Sequence, residues 1–231
     1  MTSKTETAAA NSNADQSVLV ATVASNTEFA EAHGVYKATC RGPREELREQ
    51  YLALTAKAAA MVSRGECADA ELAEAESMLE EKWEEEFENL VTIPGKNLAL
   101  DTILAGSAYT VVGPYIGLIN STASSSTTAD TMASHAAWLE VGGANAPTYT
   151  APRKTAAWSA ASAGSKALSS ALTFAMTSAG TVGGCFLVMG SGALSTIDNA
   201  AGTLYSAGAF TGGSKTVSSG DSITVSYTAS M

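Results

Sequence analysis

Charge is what this sequence lacks in its second half. Residues 91–231 carry five acidic and five basic side chains, while residues 1–90 carry 18 and eight, so the whole net charge of −10 lies in the first part. Lysine and arginine are too few for a groove that tracks phosphates, because such binding rests on cations releasing counterions. No nucleic-acid partner is expected. No apolar run reaches the ~18 residues of a membrane span, so no membrane partner is expected either. The opening MTSKTETAAANSNADQ has no apolar core of the secretory kind. Cysteine is sparse and odd in number: Cys40, Cys67 and Cys185, with no CxxC pair. That pattern indicates neither a zinc site nor a disulfide framework, and it suits inert thiols made in a reducing cytosol.

Catalytic residue types are equally thin. There are two histidines, His33 and His135. A Ser-His-Asp set drawn from His135, Asp130 and one of many serines carries no information, and no GxSxG elbow is present. The twin segments GSKALSS (Gly164–Ser170) and GSKTVSS (Gly213–Ser219) invert the order a P-loop requires, where lysine directly follows the last glycine. They read as turns that feed strands, with glycine supplying a positive φ. The glutamate-rich run near residue 84 lacks the calcium-loop pattern. No enzyme activity, cofactor or metal site is expected, and His135 beside Trp138 reads as structural. Trp138, Tyr149 and Trp158 read as core or subunit-contact aromatics, with a glycan platform as the alternative use.

Alanine, serine, threonine and glycine are plentiful where charge is missing. Residues 1–42 read as an extended, partly disordered arm, with VLVATVA (Val18–Ala24) as a short strand. Residues 43–91 read as an α-helical hairpin. Pro43 opens the first helix, Leu47, Tyr51, Leu54, Ala58 and Met61 form its apolar stripe, and Gly65 stops it. Asp69 opens the second, whose stripe is Leu72, Ala75, Leu79, Trp83, Phe87 and Leu90. IPGKN (Ile93–Asn97) reads as a linker, and NLALDTILAG as a short helix closed by Gly106.

Residues 92–231 read as an antiparallel β-sandwich of jelly-roll or Greek-key kind, because short strand-like runs alternate with turn clusters. In DSITVSYTAS (Asp221–Ser230), Ile223, Val225 and Tyr227 alternate with hydroxyl residues, as period two demands. TVGGCFLVM (Thr181–Met189) is apolar on both faces and reads as a central strand, with Gly183 and Gly184 marking a bulge or a close backbone approach. TMASHAAWLEV (Thr131–Val141) fits a short helix or a strand. The fold class is therefore α+β.

Acids crowd the end of the expected second helix: Glu80, Glu81, Glu84, Glu85 and Glu86, beside Trp83 and Phe87. At a helix C-terminus they oppose the dipole. A basic partner docked there offsets the repulsion, which makes this stretch a candidate protein interface; a solvated face is the plainer alternative. Lys166 and Lys215, in the two GSK turns, are the candidate contacts to an acidic neighbouring subunit.

From about Lys96 to Met231 the chain resembles capsid decoration (cement) proteins of tailed bacteriophages. The resemblance rests on YIGLI (Tyr115–Ile119), ASHAAWLEV (Ala133–Val141), the W-x-A-x-x-x-G-S-K turn from Trp158, GGCFLV (Gly183–Val188), GTLYSAGAF (Gly202–Phe210) and GDSITVSYT (Gly220–Thr228), in that order. It covers roughly three-fifths of the chain and leaves residues 1–91 as an extension outside the match. It implies a non-enzymatic virion component on the capsid exterior, made in the host cytoplasm, that bridges major capsid protein subunits as a homo-oligomer, trimer or dimer. The alternatives are a head or tail fibre, a tail-associated adaptor, or a glycan-binding adhesin module.

Overall fold

The computed structural model describes residues 32–103, 112–120 and 126–230. The expected arm before Ala32, the strand at Val18–Ala24, the helix stop at Gly106 and part of the loop after Ser121 lie outside the described residues. Residues Ala32–Met231 form one compact unit.

The fold is α+β, and its body is an antiparallel sandwich of two sheets. The first sheet runs in the order β2 (Leu79–Glu88), β1 (His33–Pro43), β11 (Ser222–Ser230) and β6 (Ser165–Ala167), with β7 (Leu172–Ala175) also on β11. The second runs β3 (Leu90–Val91), β9 (Thr203–Ala209), β8 (Gly180–Met189), β4 (Tyr115–Asn120) and β5 (Lys154–Thr155), with β10 (Lys215–Val217) on β8. The helices are α1 (Arg48–Ser63), α2 (Asp69–Ser77) and α3 (Ile93–Ile103).

The inner faces meet in one core. Tyr36, Ala38 and Cys40 of β1 and Ile223, Val225 and Tyr227 of β11 pack with Ile116 and Leu118 of β4 and Val182, Cys185 and Leu187 of β8. Tyr36 donates or accepts across the layers at Ser206, 3.3 Å away. The Tyr36 ring lies 4.4 Å from that of Tyr227 and 5.4 Å from that of Phe87. Burial and the neighbouring Asp221 push the Cys40 thiol up to about 12. Burial also pushes the Cys185 thiol upward, so neither is a nucleophile at neutral pH.

The expected central strand is β8, buried from Val182 to Val188. Both readings of its glycine pair hold. Asn120 pairs with Val182 and Ile119 with Gly184, which leaves Gly183 as the bulged residue. A Cβ on Gly184 would sit 2.0 Å from the Gly208 carbonyl oxygen, so β9 lies too close there for a side chain at position 184. The other face of β8 is buried too. Phe186 and Val188 pack under Trp138 and Met132, which turns rather than a regular helix or strand hold in place.

Four expectations are corrected. Residues 33–42 are not part of an arm, and Pro43 ends a strand and does not open a helix. Together they are β1, paired over nine positions with β11 and on its other side with β2. The helical hairpin ends at Ser77, and Leu79–Glu88 is a strand. IPGKN is the first turn of α3, with Gly95 N–H donating to Thr92 Oγ1 at 3.1 Å as in an N-cap. The helical hairpin is thus an excursion from the turn of the β1–β2 hairpin. Arg44 N–H reaches Met78 O at 3.1 Å where the excursion closes.

The stripe predicted for α1 is the one that packs: Ala58 is buried and Leu47, Tyr51, Leu54 and Met61 are half-buried. In α2 the stripe is Ala75 and Met78, while Leu72 is half exposed. A buried hub ties the excursion to the sandwich. Asp221 accepts from Ser218 N–H at 2.8 Å, and its carboxylate lies 3.0 Å from Lys82 Nζ and 3.3 Å from Arg48 Nη1. Arg48 also donates to Ser219 O at 2.6 Å. Lys82 reaches this hub because it is the extra residue of a bulge. Cys40 pairs with Trp83 and Arg41 with Glu81, so Lys82 is left to turn inward.

Candidate interaction surface

The acidic run makes an edge strand. Among the described residues no further strand pairs beyond β2, and it spans ten residues, whereas β3, β5, β6 and β7 span two to four. Its outward row is Glu84, Glu86 and Glu88, joined beyond the bulge by Glu81, all exposed; Glu80 is exposed too, but it pairs with Gly42 on the opposite face. Its inward row is Trp83, Glu85 and Phe87.

Strand geometry removes the difficulty a helix would have had. As a helix, Glu80–Glu84, Glu81–Glu85 and Glu84–Glu88 would repel at i, i+4 and oppose the dipole. In the sheet, the outward residues of β1 are Val35, Lys37, Thr39 and Arg41, so cations stand opposite acids: Lys37 faces Glu86, and Arg41 faces Glu81. Lys37 Nζ lies 2.8 Å from Glu84, which also accepts from Thr39 Oγ1 at 3.2 Å. The hydrogen bond and charge of Lys37 hold the Glu84 carboxyl below its usual range. A charged row is also how a long open edge avoids pairing with its own copy.

The sequence grouped nine residues as interface candidates, and the structure divides them. Trp83 and Phe87 point into the sandwich against Phe210, with ring centroids 5.5 and 4.9 Å apart. The Trp83 indole donates to Thr216 O at 3.3 Å. Glu85 accepts from Gly212 N–H at 2.6 Å and lies 3.0 Å from Lys215. The Gly212 N–H first, and Lys215 second, hold its carboxyl below the usual range. Lys215 therefore meets an acid of its own chain, on the turn that begins β10. Lys166 is exposed on β6, at the other end of the first sheet's strand order. Glu81, Glu84 and Glu86 are the candidates that share the outward face, and Glu80 is exposed beside them at the start of the strand.

The turn reading of the twin segments also holds. Ser162 and Ser165 exchange backbone bonds of 2.9 and 3.0 Å around Ala163 and Gly164, both at positive φ, and Gly213 has φ +77°. The segments open strands in different sheets, although the runs that follow, β7 and β11, pair directly.

His135 and Asp130 serve packing. The His135 ring stacks on Trp138 at 3.8 Å, with Nδ1 2.9 Å from the Trp138 carbonyl. Asp130 accepts from the Trp138 indole at 3.1 Å and from Thr127 Oγ1 at 2.6 Å. Trp138 and Tyr149 are buried, so of the three aromatics only Trp158 keeps a partly exposed ring. Among the described residues no three metal-ligating side chains gather, and no helix is long and apolar enough to cross a membrane.

Sequence reasoning missed the most buried charge. Arg153 is 1% exposed and grips Glu140 with two bonds of 2.7 Å. It donates further to Leu194 O at 3.0 Å and Asn199 O at 2.8 Å, and its guanidinium lies over Phe186. Asp198 N–H completes Glu140 at 2.8 Å. Three loops are joined at this one pair. A signal existed at Glu140: the second half has only ten charges, and a lone acid in an apolar, turn-rich stretch is held there by a partner.

No family model, no curated protein and no solved structure matches this chain.

Proposed function

We propose that this chain is a non-enzymatic structural protein of a tailed-bacteriophage particle, and that it decorates the outer capsid and cements it by bridging major capsid subunits, itself as a dimer or trimer. The resemblance of residues 96–231 suggests the family; four of its six blocks lie on β4, β8, β9 and β11, and the Ala133–Val141 and Trp158 blocks lie mainly in turns. The observation that carries the reading is the ten-residue β2 edge with its outward carboxylates. A rigid sandwich sits behind that edge, and the surface suits a basic, extended segment of a neighbouring subunit. Among the described residues its backbone groups are open to a further strand, and its charge selects a cationic one and rejects a second copy. Cementing then works mechanically. Contacts of ~1,200–2,000 Å² or more must break before capsomers separate.

The surface is tested by changing Glu80, Glu81, Glu84 and Glu86 together to glutamine. Their exposure leaves the core untouched, and the Lys37–Glu84 pair is a solvent-screened surface pair that adds little to stability. Incorporation into particles should fall several-fold at physiological ionic strength, and molar salt should weaken wild-type attachment in the same way. Equal incorporation of variant and wild type would return the row to a purely protective role.

A further inference from the structure

A cavity of about 250 Å³ opens on the outer side of the second sheet, beside the Arg153–Glu140 pair. It has two unlike walls. One is apolar, from Met132 and Leu139, with Leu139 itself 44% exposed. The other is polar, from His135, Asn145, Asp198 and Asn199.

The polar wall is set up to accept hydrogen bonds and to hold positive charge. The Trp138 carbonyl can only accept, so the neutral His135 ring carries its proton on Nδ1 and leaves Nε2 as an acceptor. Glu140 is already matched by Arg153 and contributes no net charge. Asp198 is different. Its Oδ2 accepts from Ala144 N–H at 2.9 Å, yet among the described residues no cation lies within ion-pair distance of it. Its backbone is left-handed at φ +60°, a conformation uncommon outside glycine and held here by Glu140, which accepts from the Asp198 N–H. Asp198 is exposed at the cavity: its carboxylate takes one bond from Ala144 N–H, its backbone N–H is held by Glu140, and no cation of the described residues pairs with it.

We infer that this cavity receives an arginine side chain presented by a protein partner. A guanidinium carries five donors in a rigid fork and no acceptor, which matches a wall of carboxylate, imidazole lone pair and amide oxygens. The aliphatic stem of arginine matches the Met132 and Leu139 wall. Arginine seated in a pocket is also a recurrent anchor of protein interfaces. A metal ion does not fit, because no three suitable ligands converge among the described residues. The inference rests on reading the chain as a subunit-binding module, and it names the anchor residue that such a partner offers.

The probe is N-acetylarginine amide, titrated into the full chain while backbone amide signals are followed by NMR. Saturable shifts are expected at Ala144, Asp198 and the residues around His135, with a dissociation constant in the millimolar range. Asp198→Asn should fold as the wild type does. Asparagine accepts the Ala144 N–H and tolerates left-handed backbone, and the variant should bind at least about fivefold more weakly. Methyl glucoside should produce no localised shifts. The inference is overturned if the glucoside saturates these signals, if Asp198→Asn binds arginine amide as tightly as wild type, or if no localised shifts appear. None of these outcomes depends on particles, so the β2 incorporation result stands or falls separately.

Discussion

Arg153→Met lowers the unfolding free energy by about 3–5 kcal/mol, the loss expected when one partner of a buried ion pair is removed. The reason is the stranded Glu140. It keeps the Asp198 N–H as a donor, but it loses both charge-assisted bonds of 2.7 Å in a site it leaves only 5% exposed. The carbonyls of Leu194 and Asn199 lose their donors as well. For a domain of this size, each kcal/mol moves the melting temperature by about 2–4 °C, so the transition should fall by roughly 6–20 °C. The double variant Arg153→Met with Glu140→Leu separates charge from packing. Replacing both charged partners by apolar groups is often neutral or better, so the double variant should recover most of the loss. If the single variant melts within about 2 °C of wild type, a shift worth less than about 1 kcal/mol, the pair does not anchor the loops.

Asp221→Ala should be the second large effect, at about 3 kcal/mol. The substitution leaves Ser218 N–H without its acceptor and removes the shared anion between Lys82 and Arg48. Both cations keep some water, with side-chain exposures of 21% and 14%, which holds the effect below that at Arg153. The damage should be local in a second sense. The hub fastens the start of α1 to the β10–β11 turn, so the helical excursion should loosen first. Limited proteolysis should cut at the exposed Arg64 more rapidly in the variant, before the sandwich unfolds in denaturant. Glu76→Ala is the control. Its pair with Arg41 is 3.7 Å long and exposed on both sides, and removing it should change stability by less than about 1 kcal/mol. Equal cleavage rates in Asp221→Ala and wild type would show that the helices are held by something other than this hub.

Much of the sandwich is legible because β11 alternates with period two up to Tyr227 and β8 is an unbroken apolar run. Ile223, Val225 and Tyr227 of β11 are buried as the alternation demanded, and β8 is covered on both faces as its unbroken apolar run demanded. The first helix was legible because spacings of four, three, four and three fit no strand. The acidic run was misread for the opposite reason. Trp83 and Phe87 lie four apart, and four is close to one helical turn and also an even number, so the same pair marks one face of either element. Lys37 and Arg41 decide the matter by standing across from acids, but they belong to a strand distant in sequence. β1 itself carries a clean alternation of Val35, Lys37, Thr39 and Arg41 against Tyr36, Ala38 and Cys40. It escaped notice because it lies within a stretch otherwise read as an arm.

For the candidate surface, the sequence located the acids correctly and misplaced their geometry. Glu85 and Lys215 were both singled out, yet their 3.0 Å pairing depends on β10 lying next to the inward face of β2, a contact that no local pattern reports. The Arg153–Glu140 pair is not legible locally, because thirteen residues separate the two and Glu140 stands in a block, Ala133–Val141, that does not include Arg153.

The central claim is that the chain cements an outer capsid. The most direct measurement is its copy number in purified particles, read from a stained gel against the major capsid protein, together with its position on the intact particle. Decoration predicts copies comparable to those of the major capsid protein, spread over the outer shell with the β2 edge turned toward a capsid subunit. A handful of copies confined to one vertex or to the tail would contradict it.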